Sequence, residues 1–375
     1  MAIYDCATFI NIYFRKLSYI AFLSVLTYNK LICVKKSKKN GYEDPMATIK
    51  DIANRLHISA GTVSKGLNGA PDISEGLRQQ ILDTAVELGY TRRGFEKIEK
   101  RKLCIFIENM DYYMDDDFGF DIILGFKQAA FKENWAVEVI PVSHGFQEKH
   151  PYNTFMVSQG FSGAFICGFT LDDPWIKEIQ TTKMPTILLD NYIEHNPATG
   201  SVGTDSFEGI ELAISHLVSL GHEAIAFLNG DARSMISTYR QHAYEQSLRA
   251  HHLPHIPELS TYTSYTSEVE PCIIKQFLDN DASAILCSSD LLAYSTIRIC
   301  RELGLDVPQN ISIIGYDDLP TSSIFDPPLS TIHQDRLLLG KSSYYILYAL
   351  INGVCLSRNL LRPKLIVRSS TAVWR

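Results

Sequence analysis

Residues 59–65, Ser-Ala-Gly-Thr-Val-Ser-Lys, hold the densest run of contact-making side chains in this 375-residue chain. At helical spacing Val63 turns inward with Leu67, leaving Ala60, Gly61, Thr62, Ser64 and Lys65 on the other face. Small residues let a backbone come close, hydroxyls and cations hold phosphates, and a long donor reaches base edges. Catalytic chemistry is less visible. Asp317-Asp318 with Asp205 would make an acid–base set, yet no nucleophile–base–orienter arrangement accompanies them. No strand-like run leads into G-x-G-x-x-G or G-x-x-x-x-G-K-[ST], so no nucleotide cofactor is expected. The eight cysteines are scattered, with no C-x-x-C pair and no zinc-ligand spacing. They read as reduced, mostly buried thiols of a cytoplasmic protein without a metal.

Three helices must carry that face. Thr48 is an N-cap candidate with Asp51 three residues on, and Ile49, Ile52, Ala53 and Leu56 form one apolar stripe. Ser59 caps the next helix, and Asn68-Gly69 signals a turn. Ser74 caps a third, with Leu77, Ile81, Leu82, Ala85 and Leu88 apolar and Gly89 as the stop. On spacing alone two readings stand: a helix-turn-helix that lays one helix in a DNA major groove, or a three-helix structural module.

From residue 103 the pattern becomes alternating strands and helices. Short apolar runs at 103–108, 136–142, 163–167, 185–189, 224–228, 284–287 and 311–315 alternate with helical segments, the first at about 120–134. Continuous apolar strands of this length belong to parallel sheets covered on both faces, and repeated β-α units make doubly wound domains. Ligands of such sheets bind at the carboxyl ends of the strands.

Charge divides along the same line. Residues 46–102 carry ten Lys/Arg against seven Asp/Glu, whereas 103–375 carry eighteen against thirty-two, within an overall net charge of −7. A basic module on an acidic body confines nucleic acid to one end. Residues 1–45 fit neither part. Their apolar stretch at 17–28 is interrupted by Asn29-Lys30, short of the roughly 20 residues a span needs. Three readings are open: upstream sequence foreign to the natural protein, with Met46 as the start; a membrane tether; or a partner-binding arm.

The stretch from Thr48 to Tyr90 resembles the DNA-binding headpiece of the lactose-repressor (LacI/GalR) family. The matching residues are Thr48-Ile49, Asp51-Ile52-Ala53, Ser59, Thr62-Val63-Ser64-Lys65, Leu67-Asn68-Gly69 and Leu88-Gly89-Tyr90. The resemblance implies base contacts from Ala60, Gly61 and Lys65, and phosphate contacts from Thr48, Ser59, Thr62, Ser64 and Asn68. Lysine stands at 65 where the family more often has arginine, and lysine lacks the planar bidentate fork. The linker departs from the family pattern. Arg92 and Arg93 are expected on phosphates, and Phe95 or Ile98 are minor-groove wedge candidates. Gly94 weakens a hinge helix there, so a hinge and a plain basic linker both remain open.

The body resembles the same family and, through it, periplasmic sugar-binding proteins. The motifs are Val202-Gly203-Thr204-Asp205, Leu220-Gly221-His222, Ser289-Asp290, Gly315-Tyr316-Asp317-Asp318 and Pro327-Pro328-Leu329-Ser330-Thr331. The implied fold is a small all-α helix-turn-helix headpiece (46–91), a linker (92–102) and an α/β two-lobed periplasmic-binding-protein-like domain (103–375) with two doubly wound parallel sheets. One lobe would hold about 103–204 and 335–362, the other about 205–332 and 363–375. Asp190, Arg240, Asp290 and Asp317 would face the effector, as charge-assisted partners for sugar hydroxyls. Asp290 is equally a helix cap by position. Phe118, Phe120, Phe169, Trp175 and Tyr192 would stack on a sugar ring or lie in the core. Asp115-Asp116-Asp117 reads as a cation site or as a solvated acidic loop. His216, His222 and His333 read as structural. The expectation is a cytoplasmic, nucleoid-associated regulator, a repressor controlled by a sugar or sugar derivative and binding pseudo-palindromic operator DNA. With Val373-Trp374-Arg375 last and no leucine-heptad tail, a homodimer is expected, with no membrane partner and no cofactor.

Overall fold

The computed structural model describes residues 47–90, 101–265 and 269–374. The expectations for Met46, Arg92, Arg93, Phe95 and Ile98 fall outside these residues. Helix α1 (Ile49–Leu56) starts at a reciprocal capping box. Thr48 Oγ1 accepts from Asp51 N–H, and the Asp51 carboxylate accepts from Thr48 N–H at 2.7 Å. It ends at His57 in the left-handed region, φ 55°. Helix α2 (Ala60–Leu67) is capped by Ser59, and α3 (Glu75–Glu87) by Ser74. Ile52, Ala53, Val63, Leu67, Ile81, Leu82 and Ala85 are buried between them. Gly66 lets α2 and α3 close up: a Cβ there would sit 2.5 Å from Ile81 Cδ1.

The apolar cluster does not stop at the headpiece. It runs on through Tyr90 to Val157, Phe161 and Met184 of the body, and Lys183 Nζ donates to the Glu87 carbonyl at 3.1 Å. Helix α3 therefore sits on lobe 1 beside a helix spanning Tyr152–Gln159.

Lobe 1 is a six-stranded, wholly parallel sheet. Its strands are β1 (Lys102–Ile107), β2 (Ala136–Pro141), β3 (Phe161–Cys167), β4 (Thr186–Leu189), β5 (Thr199–Thr204) and β11 (Arg358–Leu361), in the order β11-β5-β4-β3-β1-β2. Helix α4 (Phe118–Lys132) crosses α12 (Arg336–Ile351) at two glycines. A Cβ on Gly125 would lie 2.1 Å from the Leu337 carbonyl oxygen, and one on Gly340 would lie 1.9 Å from that of Ile122.

Lobe 2 orders its strands β12-β10-β9-β8-β6-β7. They are β6 (Ile225–Asn229), β7 (Ser260–Tyr262), β8 (Ala284–Cys287), β9 (Ser312–Asp317), β10 (Ser330–His333) and β12 (Lys364–Ile366). All neighbours are parallel except β12, which runs antiparallel to β10 at the edge. The expected fold class is observed, with that edge strand as a departure from a purely parallel second sheet.

Three further departures have local causes. The first body helix starts at Phe118 rather than about 120, with Asp117 at its N-cap accepting from the Tyr113 and Met114 N–H groups of the preceding turn. Strand β5 (Thr-Gly-Ser-Val-Gly-Thr) has no apolar run, yet every residue is buried. Its small side chains fit where a Cβ on Gly200 would meet Leu356 O at 2.6 Å. The acidic run at 115–117 is only partly a solvated loop: Asp115 is exposed, while Asp117 and Asp116 are engaged by hydrogen bonds. Asp116 Oδ1 accepts from Thr321 N at 2.9 Å and Oδ2 from Thr321 Oγ1 at 2.8 Å, clasping lobe 1 to lobe 2. On another edge Leu171 N donates to Arg233 O at 2.9 Å.

Candidate nucleic-acid interface and effector cleft

The outer face of α2 is assembled largely as the spacing implies. Ala60, Gly61 and Lys65 are exposed. Ser59 Oγ accepts from Thr62 N at 3.0 Å and pairs with Thr62 Oγ1 at 2.8 Å, so these hydroxyls begin as a cap. Thr48 is likewise engaged by Asp51, and Asn68 Nδ2 donates to Ser64 Oγ at 3.4 Å. The ammonium of Lys65 is held by Asp72 at 2.5 Å. That partner was missed in the sequence, because it lies beyond the helix and after a turn.

Between the lobes, Asp190 directly follows β4 and Asp317 ends β9, both at positive φ (53° and 128°), with Asp318 next at 56°. Three departures from ordinary backbone at the ends of two strands, two of them adjacent, mark a place where geometry is held for a purpose. Arg240, on α9 (Met235–Ala250), is buried. Its Cζ lies 3.9 Å from the Tyr316 ring centroid, Nη1 donates to Ser288 O, and Nε has no hydrogen-bond partner among the described residues.

Burial pushes the Asp190 carboxyl up to about 6, against the pull of Arg240. Burial and Asp290 push Asp317 up to about 8, opposed by Arg240 and by the Gln334 amide that donates to it at 2.7 Å. At neutral pH Asp317 can therefore donate as well as accept. Arg240 is depressed by burial yet raised on balance by Tyr265, Tyr316 and the two aspartates, so it stays a cation.

Beside this triad lies a cavity of 240 Å³ lined by both lobes, with Asp190, Asn191, Thr204 and Arg358 from lobe 1 and Ser206 and Tyr239 from lobe 2. Asp190 Oδ1, Asn191 Nδ2 and Thr204 Oγ1 are buried there without partners among the described residues. Arg358 closes it, its Cζ 4.9 Å from the Tyr192 ring and 5.1 Å from the Tyr239 ring. Asn191, Thr204, Ser206, Tyr239 and Arg358 were not singled out. Thr204 lay inside a quoted motif, while Arg358 had no local signal.

Other candidates are used up elsewhere. Asp290 is fully buried and accepts from Leu319 N, Ser322 Oγ and Thr331 Oγ1, all within lobe 2. It neither caps its helix, which Ser289 does, nor has the open oxygen a ligand would need. Phe169 packs in the core against Trp175, which donates to His150 O. Phe118 is partly buried against the lobe 1 core, and Phe120 is half-buried outside it. Asp205 caps a helix, and Asp318 is tied to Arg368 at 2.6 Å and His333 at 2.9 Å.

Residues 48–93 match the model of bacterial regulatory proteins of the lacI family, and 214–371 match that of a periplasmic binding protein-like domain. The chain is a LacI-family protein. It is 26% identical to the HTH-type transcriptional repressor CytR of Escherichia coli (strain K12), over 90% of this chain and 98% of that one. It is 25% identical to the HTH-type transcriptional repressor PurR of Aliivibrio fischeri (strain MJ11), over 87% and 98%. Among solved structures, a CelR–cellobiose complex superposes with TM-score 0.64 at 22% identity, covering 86% of this chain and 99% of that one. The lac repressor dimer bound to operator and the anti-inducer ONPF gives 0.61 at 24%, covering 87% and 99%. As a LacI-family member the chain is a DNA-binding transcriptional regulator. No helix among its described residues is long and apolar enough to cross a membrane.

Proposed function

We propose that this regulator is a repressor whose grip on a pseudo-palindromic operator is set by a small, uncharged, hydroxyl-rich molecule, a sugar or sugar derivative. The observation that carries this reading is the cavity between the lobes, where an acceptor, an amide donor and a hydroxyl are buried unpaired among the described residues. Burying such groups without partners costs free energy that a polyhydroxylated ligand would recover. At 240 Å³ the space falls below the roughly 300–1,000 Å³ that suits drug-sized ligands, so the effector is small. Asp190, Arg240 and Asp317 are its charged contacts, with Asn191 and Thr204 completing the wall. The relative solved with cellobiose supports the ligand class. The protein works as a homodimer, with the exposed Leu124 and Phe131 of α4 and Leu338 and Tyr345 of α12 offering apolar surface on adjacent helices.

A thermal-shift panel of mono- and disaccharides, sugar phosphates and nucleosides on the full chain tests this. A ligand specific for the folded state at about 100 times its dissociation constant adds about 2.7 kcal/mol. A hit among neutral sugars that also changes operator affinity supports the reading. Hits confined to nucleosides or sugar phosphates would refute the ligand class.

A further inference from the structure

We propose that Lys65 and Asp72 form one base-reading unit that takes a G·C pair in the major groove, lysine on the guanine and aspartate on the cytosine. The inference rests on α2 being the helix that enters the groove. That helix is poor in readers. Ala60 and Gly61 carry no hydrogen-bonding side chain, the Ser59 and Thr62 hydroxyls hold each other, and Ser64 accepts from Asn68. Lys65 is thus the one long polar side chain on this face of α2, and its ammonium is not alone. Asp72 Oδ2 lies 2.5 Å away, and both side chains are more than half exposed, 57% and 55%.

The pair is too exposed to matter for stability, since water screens it and holding two long side chains in one geometry costs entropy. Beside DNA its charge pattern does matter. A lone carboxylate would be repelled by the phosphates, and a lone ammonium would bind any sequence. Joined, they present donors on one side and acceptor sites on the other. The G·C edge presents the complement in the same order, guanine N7 and O6 as acceptors and then the cytosine N4 donor. An A·T edge instead interposes the adenine N6 donor between two acceptors. Lysine has three donors, so it keeps Asp72 while bonding guanine. The ion pair then survives binding and spans a single base pair.

The test starts from a random duplex library selected on the full wild-type chain, followed by affinity measurements on the enriched duplex. A G·C pair should dominate one position of each half-site. Lys65→Ala and Asp72→Ala should each cut the preference there by about fivefold or more, and the double variant should cost little beyond either single change. N4-methylcytosine at that position blocks the groove-facing donor, so it should weaken binding by the wild-type protein and leave binding by Asp72→Ala unchanged, a readout free of any folding defect. If Asp72→Ala strengthens binding to every sequence alike and leaves the preference intact, the aspartate only screens the lysine and the proposal falls. If Lys65→Ala also leaves the preference intact, the assignment of α2 as the reading helix falls with it.

Discussion

Arg240 keeps its guanidinium against Tyr316 with Nε unsatisfied among the described residues, within reach of two aspartates whose carboxyls burial has pushed toward the neutral form. Arg240→Ala is expected to lower effector affinity by roughly 2–5 kcal/mol by calorimetry, because a buried charged partner would be left unpaired. Ligand-free operator binding should stay near normal by anisotropy. Asp317 makes a pH prediction with a definite sign. Its folded value of about 8 lies above the ordinary 3.8, so the folded chain holds this proton more tightly than the unfolded chain. The resulting stability is complete below about pH 4 and is lost as pH rises through about 8. Glu108, pushed up to about 8 by burial and by Asp173, titrates in the same window. The thermal midpoint should therefore fall between about pH 5 and 8 and level off above, and Asp317→Asn should remove about one proton's share of that slope. A slope unchanged in the variant would place the titration elsewhere.

Elements were legible where their rules are local. The caps at Thr48, Ser59 and Ser74 stand where residue type put them, because an N-cap depends on a few adjacent atoms. Strand β5 escaped because its burial comes from neighbours across the sheet and not from its own apolarity. Arg358 escaped for a related reason: pairing of β11 with β5 brings it to Ser201, and nothing near it in sequence announces that. Asp190, Arg240 and Asp317 were found through a family pattern, whereas spacing alone would have left them as caps or ion pairs. The crossing of α4 and α12 adds a test at this scale. Gly125→Ala must push a methyl against the Leu337 carbonyl, and overpacking of this kind costs about 1–3 kcal/mol in urea titrations. Gly76→Ala, in open space on α3, should instead stabilise by roughly 0.5–1 kcal/mol.

At the scale of the whole molecule, two lobes meet through a few polar bridges. Asp116 with Thr321 is the best formed of them. Asp116→Ala should loosen closure, seen as a larger radius of gyration by small-angle scattering without effector and recovery when effector is added. An unchanged radius would mean that the contacts of Leu171 and Asp172 with Arg233 suffice. The seating of α3 on lobe 1, with Tyr90 in a shared core and Lys183 on the Glu87 carbonyl, has a further consequence for control. The reading helix cannot change its heading unless lobe 1 changes with it or the seat breaks. Steering is then a property of the lobe. A substitution that unseats the headpiece, such as Lys183→Glu, should uncouple effector from operator while leaving each ligand's own affinity nearly intact.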